Sequence, residues 1–127
     1  MEKINPVVWF EIYVENIDRA VSFYENVFEV SLEDMSDPSD PSILMKCFPS
    51  DMENYGAAGA LVKMDGVKPS SEGSIVYFGC EDCKVLEKRV VDNGGYIIQP
   101  KMSIGEHGFV SLIKDTEGNS IGFHSRS

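Results

Sequence analysis

Basic residues are scarce: 11 Lys and Arg stand against 21 Asp and Glu among 127 residues, a formal charge of −10. Proteins hold a phosphate backbone mainly through Lys and Arg, so this balance opposes nucleic acid and anionic membrane as partners. No apolar run approaches the roughly 20 residues that span a bilayer. The opening MEKINPVVWF lacks the basic, apolar and small-residue order of a signal peptide, and a cytoplasmic protein is expected. Cysteine is sparse and odd in number. Cys47, Cys80 and Cys83 read as reduced thiols, because a chain of this length can build a core without disulfides. What is present is ordinary for a folded chain, 43% hydrophobic and 25% charged, and the length suits one domain over 1–127.

Periodicity divides the chain into two similar halves. Residues 7–14 alternate as a strand with large side chains on both faces: Val8, Phe10, Ile12 and Val14 on one, Trp9, Glu11 and Tyr13 on the other. Asn16-Ile17-Asp18 starts a helix whose Ala20, Phe23, Tyr24, Val27 and Phe28 recur at helical spacing, so that helix can cover the even-numbered face. Extended stretches follow at 30–32, 43–48 and 58–64, separated by an acidic, proline-bearing loop at 33–42 and a polar loop at 49–56. The segment DGVKPSSEG, 65–73, reads as a linker.

The same order then returns. Residues 74–80 read as a strand, and Asp82 caps a helix with Cys83, Leu86 and Val90 on its apolar stripe, ending at Gly94-Gly95. Three β-rich stretches follow at 96–101, 109–114 and 120–124. Gly118 and Asn119 are suited to the positive φ of a tight turn between the last two. Val14 and Cys80 align as equivalent strand ends. The predicted class is α+β, two βαβββ modules, the first at about 5–65 and the second at about 74–125. A split ferredoxin-like fold imitates part of this order.

Glu11-Ile12-Tyr13-Val14 with Ile17-Asp18-Arg19-Ala20 and Phe23-Tyr24, and the closing Lys114-Asp115-Thr116-Glu117-Gly118-Asn119 with Ile121-Gly122-Phe123-His124, resemble the two ends of a vicinal oxygen chelate domain. This is the glyoxalase/bleomycin resistance/dioxygenase superfamily, and the likeness is to bacterial proteins related to lactoylglutathione lyase. The resemblance implies curled mixed sheets with helices outside and ligand sites on concave faces. It also implies metal ligands on the first and last strands of each half. Carried onto this chain, those positions fall on Trp9, Ile75 and Gly122, and the remaining strand, 58–64, holds no His, Asp, Glu or Cys. Side chains of Trp, Ile and Gly donate nothing to a metal, so neither metal nor cofactor is expected.

By parity with Trp9 and Gly122, Glu11 and His124 point to the concave faces that the resemblance implies, where a carboxylate and an imidazole could form an acid/base pair; the competing reading makes both structural polar groups. Trp9, Tyr13 and Tyr77 could wall a ligand site or simply pack. His107, in a loop, could sit at the mouth of a site or be solvated. Cys80-Glu81-Asp82-Cys83 has Cys-x-x-Cys spacing at a strand-to-helix junction, but packing is the preferred reading because two carboxylates oppose thiolate formation. The run 36–41 is read as an acidic surface loop, lacking the ligand spacing and Gly of a calcium loop.

The expectation is a small-molecule-binding protein without the usual metal site, with Glu11 and His124 supporting metal-independent lyase or isomerase chemistry. The alternatives are a metal-dependent lactoylglutathione-lyase-like enzyme with displaced ligands and a non-catalytic partner-binding module. A homodimer is expected as the commonest symmetric assembly.

Overall fold

The computed structural model describes residues 5–51 and 53–127; the first four positions read for a signal sequence, and position 52 of the polar loop, lie outside them. The first module comprises β1 (Trp9–Tyr13), α1 (Ile17–Phe28), β2 (Glu33–Asp34), β3 (Ile43–Cys47) and β4 (Ala58–Met64). The second comprises β5 (Val76–Gly79), α2 (Cys83–Asp92), β6 (Tyr96–Ser103), a short 3-10 turn Gly105–His107, β7 (Phe109–Lys114) and β8 (Ser120–Ser125). Each module makes one four-stranded mixed sheet of identical topology, β1-β4-β3-β2 and β5-β8-β7-β6, with the first strand parallel to the last. The equivalence of Val14 and Cys80 holds in hydrogen bonding: each main-chain N–H donates to the last strand of its own module, at Val62 and His124.

Both helices begin as their sequences dictate, with Asn16 and Asp82 side chains accepting from the N–H groups of Arg19 and Lys84. Helix α1 buries Ala20, Phe23, Tyr24 and Val27, and α2 buries Cys83, Leu86 and Val90. These residues join Ile12, Val14, Leu61, Ile113, Ile121 and Phe123 in one apolar core shared by the two modules. The even-numbered face of β1 therefore packs inward, while Trp9 and Glu11 stay exposed on the opposite face.

Two local expectations change. The second strand is not at 30–32 but at Glu33–Asp34, within the stretch read as a loop. Glu29 ends α1 in the left-handed conformation, and the N–H groups of Val30 and Leu32 donate back to Glu25 of the helix, so pairing with β3 begins only at Glu33. In the last hairpin only Gly118 takes positive φ, +88°. Asn119 instead works through its amide, which donates to the Tyr13 carbonyl and to Asp115 and accepts from the Ser70 N–H.

That amide belongs to a polar latch between modules. Asp115, buried at the start of the β7–β8 turn, accepts from the Tyr24 hydroxyl of α1 at 2.6 Å, the Asn119 amide, and the N–H groups of Glu117 and Asn119. Glu117, whose side chain is fully buried, accepts from the N–H groups of Glu15 and Asn16, from Thr116, and from Arg19 through both Nε and Nη2. A segment that reads as a turn thus clamps the second module onto the β1–α1 junction of the first.

Candidate functional site

The outward row of β1 forms a closed hydrogen-bonded set. Trp9 Nε1 donates to Glu11 Oε2 at 3.2 Å, and the Tyr13 hydroxyl donates to Glu11 Oε1 at 2.8 Å. The bond to Glu11, partial burial and the Glu11 charge together push the Tyr13 phenol above its usual pKa. Each Glu11 oxygen retains a lone pair for a further donor. With Tyr13, Glu11 lines a polar cleft of about 210 Å³ shared with Ser70, Ser74 and Ser120.

His124 lies on the other sheet. Its Nε2 stands 2.7 Å from the His107 carbonyl oxygen. A carbonyl only accepts, so Nε2 carries the proton and Nδ1 is the ring's basic nitrogen. His107 contributes this main-chain oxygen, while its own ring is 76% exposed. No hydrogen bond joins Glu11 to His124. The clefts lined by His124, with Cys80 and Arg126 in one and His107 in the other, do not include Glu11. The structure keeps the two candidate acid/base groups in separate clefts.

Among the described residues a larger cavity lies elsewhere. Strands β1 and β5 are edge strands of their sheets, and where they run past each other a cavity of about 840 Å³ opens. Phe10 of β1, Phe28 of α1, Phe48 after β3 and Phe78 of β5 line it, together with Tyr77. The four Phe rings form a nest, with Phe28 and Phe78 centroids 4.7 Å apart and Phe10 set edge-on to Phe78 at 5.7 Å. Gly59 permits this arrangement, because the Phe10 ring lies against the position a β-carbon would take there. Four phenylalanines spread from position 10 to 78 carry no sequence signal for a shared site. Of the predicted ligand-binding residues only Tyr77 reaches this cavity; Trp9 and Tyr13 stay on the outer row of β1.

The thiols of Cys80 and Cys83 lie 4.0 Å apart. Cys83 is fully buried against Ser125 Oγ. Burial, then the neighbouring Cys83, then the charge of Asp82 push the Cys80 thiol up to about 12, so it is not a thiolate near neutrality. In the acidic loop Asp34, Asp37 and Asp40 each accept from the serine two residues on, satisfying their own turns.

Comparison with known families bears on this architecture. The model of the glyoxalase/bleomycin resistance protein/dioxygenase superfamily matches residues 3–123. The chain belongs to this superfamily. A glyoxylase-like domain-containing protein of Didymella fabae is 26% identical over 111 residues, 87% of this chain and 85% of the relative. Glyoxalase I of Zea mays superposes with a TM-score of 0.72 at 17% identity, covering 95% of this chain and 46% of the maize enzyme. The chain thus spans about half of that enzyme's length. A glyoxalase/bleomycin resistance protein of Albidiferax ferrireducens superposes with a TM-score of 0.66 at 17% identity, covering 96% and 100% of the two chains. At such identities these superpositions speak to fold alone.

The metal positions implied by the superfamily carry side chains that cannot serve it. Trp9 offers only an N–H, already given to Glu11, and Ile75, just before β5, offers nothing. Gly122 is the register partner of Tyr77, whose ring covers it so closely that a β-carbon would stand 2.5 Å from the ring. Among the described residues no group of three His, Cys, Asp or Glu side chains is placed to hold a metal ion. The donor set does not fit the superfamily's metal. Restoring one ligand is expected to fail: Gly122→His must displace Tyr77, lowering stability by about 1–3 kcal/mol, and the variant should bind zinc no better than the native chain by equilibrium dialysis.

Proposed function

We propose that this superfamily member binds a small organic molecule in the cavity between β1 and β5 and works without the three-ligand metal site of its relatives. The observation that carries this reading is the cavity itself, about 840 Å³ walled by aromatic rings and lying where two free strand edges meet. Pockets of this size, mostly apolar with a few polar groups, suit ligands of drug-like dimensions. The acid/base roles expected of Glu11 and His124 do not carry over to a molecule bound there, because neither residue lines this cavity and each faces a separate cleft. The three thiols, free in this structure, agree with a reducing, cytoplasmic setting.

Assembly as a homodimer belongs to the same reading. Edge strand β6 leaves Tyr96, Ile98 and Met102 exposed along eight residues, an edge that soluble proteins ordinarily cover or charge. Light scattering is expected to give the mass of two chains, and Ile98→Lys to give that of one.

The reading is tested first by metal analysis of untagged protein from cells supplied with zinc, nickel, iron and manganese, followed by a thermal-shift screen of small molecules. Substoichiometric metal and a stabilising ligand are expected; one bound metal per chain would overturn it. On a ligand so found, Glu11→Gln and His124→Ala, both off the cavity wall, should leave affinity unchanged. A loss of affinity in either variant would move the ligand site to the cleft of that residue.

A further inference from the structure

We infer that the seam cavity selects uncharged, ring-bearing molecules and excludes anions. The inference rests on the proposal above that this cavity is the ligand site. One residue in four of the whole chain is charged, so about four of seventeen lining residues would be charged by composition alone. None is, among the described residues. The side-chain polar groups on the wall are the neutral hydroxyls of Tyr55, Ser74 and Tyr77.

The strand edges add neutral groups of the same kind. Val14 and Cys80 donate their N–H groups to β4 and β8, so strand alternation turns the main chain of Tyr77 and Gly79 away from β8 and toward the seam. On β1 the matching carbonyl of Tyr13 is already met by the Asn119 amide. A ligand entering here meets ring faces, ring edges, hydroxyls and peptide groups, a surface suited to a flat molecule with neutral polar substituents.

An anion fares badly for two reasons. Its charge would leave water without a guanidinium, ammonium or imidazolium to replace the lost hydration. It would also approach a chain with a formal charge of −10, whose field repels it before contact. By contrast the rings cost an uncharged aromatic molecule nothing in desolvated charge.

The matched probes are phenylnaphthylamine and anilinonaphthalene sulfonate, which share their rings and differ by one sulfonate. Both brighten in apolar surroundings. The native chain is expected to bind the uncharged dye at least about tenfold more tightly. Ile75→Arg places a cation on the cavity wall at a residue that is 39% exposed and precedes β5. It should strengthen binding of the sulfonated dye severalfold relative to that of the uncharged dye. Ala57→Trp, at an exposed position of the wall, should obstruct the cavity and weaken binding of both, with circular dichroism and melting as controls on folding.

The outcomes separate the two claims. If the sulfonated dye binds as tightly as the uncharged one and Ala57→Trp weakens both, the cavity is the site and the inferred selectivity is wrong. If the uncharged dye does not bind, or binds equally to Ala57→Trp, the assignment of the cavity as ligand site fails and the selectivity falls with it.

Discussion

Asp115→Ala is expected to destabilise the protein by about 3–5 kcal/mol, the largest effect of any single substitution considered for this chain. The loss follows from what the carboxylate satisfies. Removing it strands the Tyr24 hydroxyl and the N–H groups of Glu117 and Asn119 in a buried place, each at about 1–3 kcal/mol and not fully additive. Against a total of about 5–15 kcal/mol for a domain, this is enough to populate unfolded chains near physiological temperature. Tyr24→Phe should cost about 1.5–3 kcal/mol, the range for a hydrogen bond to a charged group. Burial first, and then the adjacent carboxylate, hold the Tyr24 phenol well above its usual pKa, so it stays protonated and donates. Urea unfolding of the two single variants and the double variant tests the assignment. If Tyr24→Phe costs as much in the Asp115→Ala background as in the native chain, the bond is not what couples the modules.

Glu117→Gln is expected to cost about 2–3 kcal/mol at neutral pH, and the cost should shrink in acid. The carboxylate takes five donors, and an amide in its place must turn one N–H toward Arg19 or a main-chain N–H. The Arg19 side chain is 51% exposed and can return to water, so the main-chain donors of Glu15 and Asn16 account for most of the loss. Burial alone would raise the Glu117 pKa. The bonds from Arg19, Asn16 and Thr116 and the Arg19 charge outweigh it and hold the carboxyl below its ordinary 4.5. A depressed folded-state pKa stabilises the fold above the unfolded value, and that stabilisation is lost as pH falls through the folded value. Native protein and Glu117→Gln should therefore differ most in urea midpoint at pH 6–7 and converge as pH drops below about 4.5. A gap that stays constant across this range would mean that the charge on Glu117 contributes nothing to the latch.

These two residues illustrate how sequence and structure divide the account. Asp115-Thr116-Glu117-Gly118-Asn119 is legible as turn chemistry, and Gly118 does turn the chain. The partners of its carboxylates are not legible: Tyr24 lies 91 residues away and Arg19 lies 98 away, with no local pattern linking them. The outward row of β1 is the reverse case. Its alternation placed Trp9, Glu11 and Tyr13 on one face, and the side chains join there because residues two apart on a strand are neighbours.

The sequence by itself determined the order of elements and the buried faces of both helices, while the positions that would carry metal ligands, Trp9, Ile75 and Gly122, came from its likeness to the superfamily. Element order and buried faces depend on residue type and short-range spacing, which the backbone periods of helix and strand translate directly into geometry. Only the tertiary structure decided that Glu11 and His124 occupy separate clefts, that Tyr77 covers Gly122, and that Phe10, Phe28, Phe48 and Phe78 meet around one cavity. The physical reason is that an apolar face specifies burial without specifying its partner: periodicity says which side chains leave water, and the packing of distant segments decides what they meet.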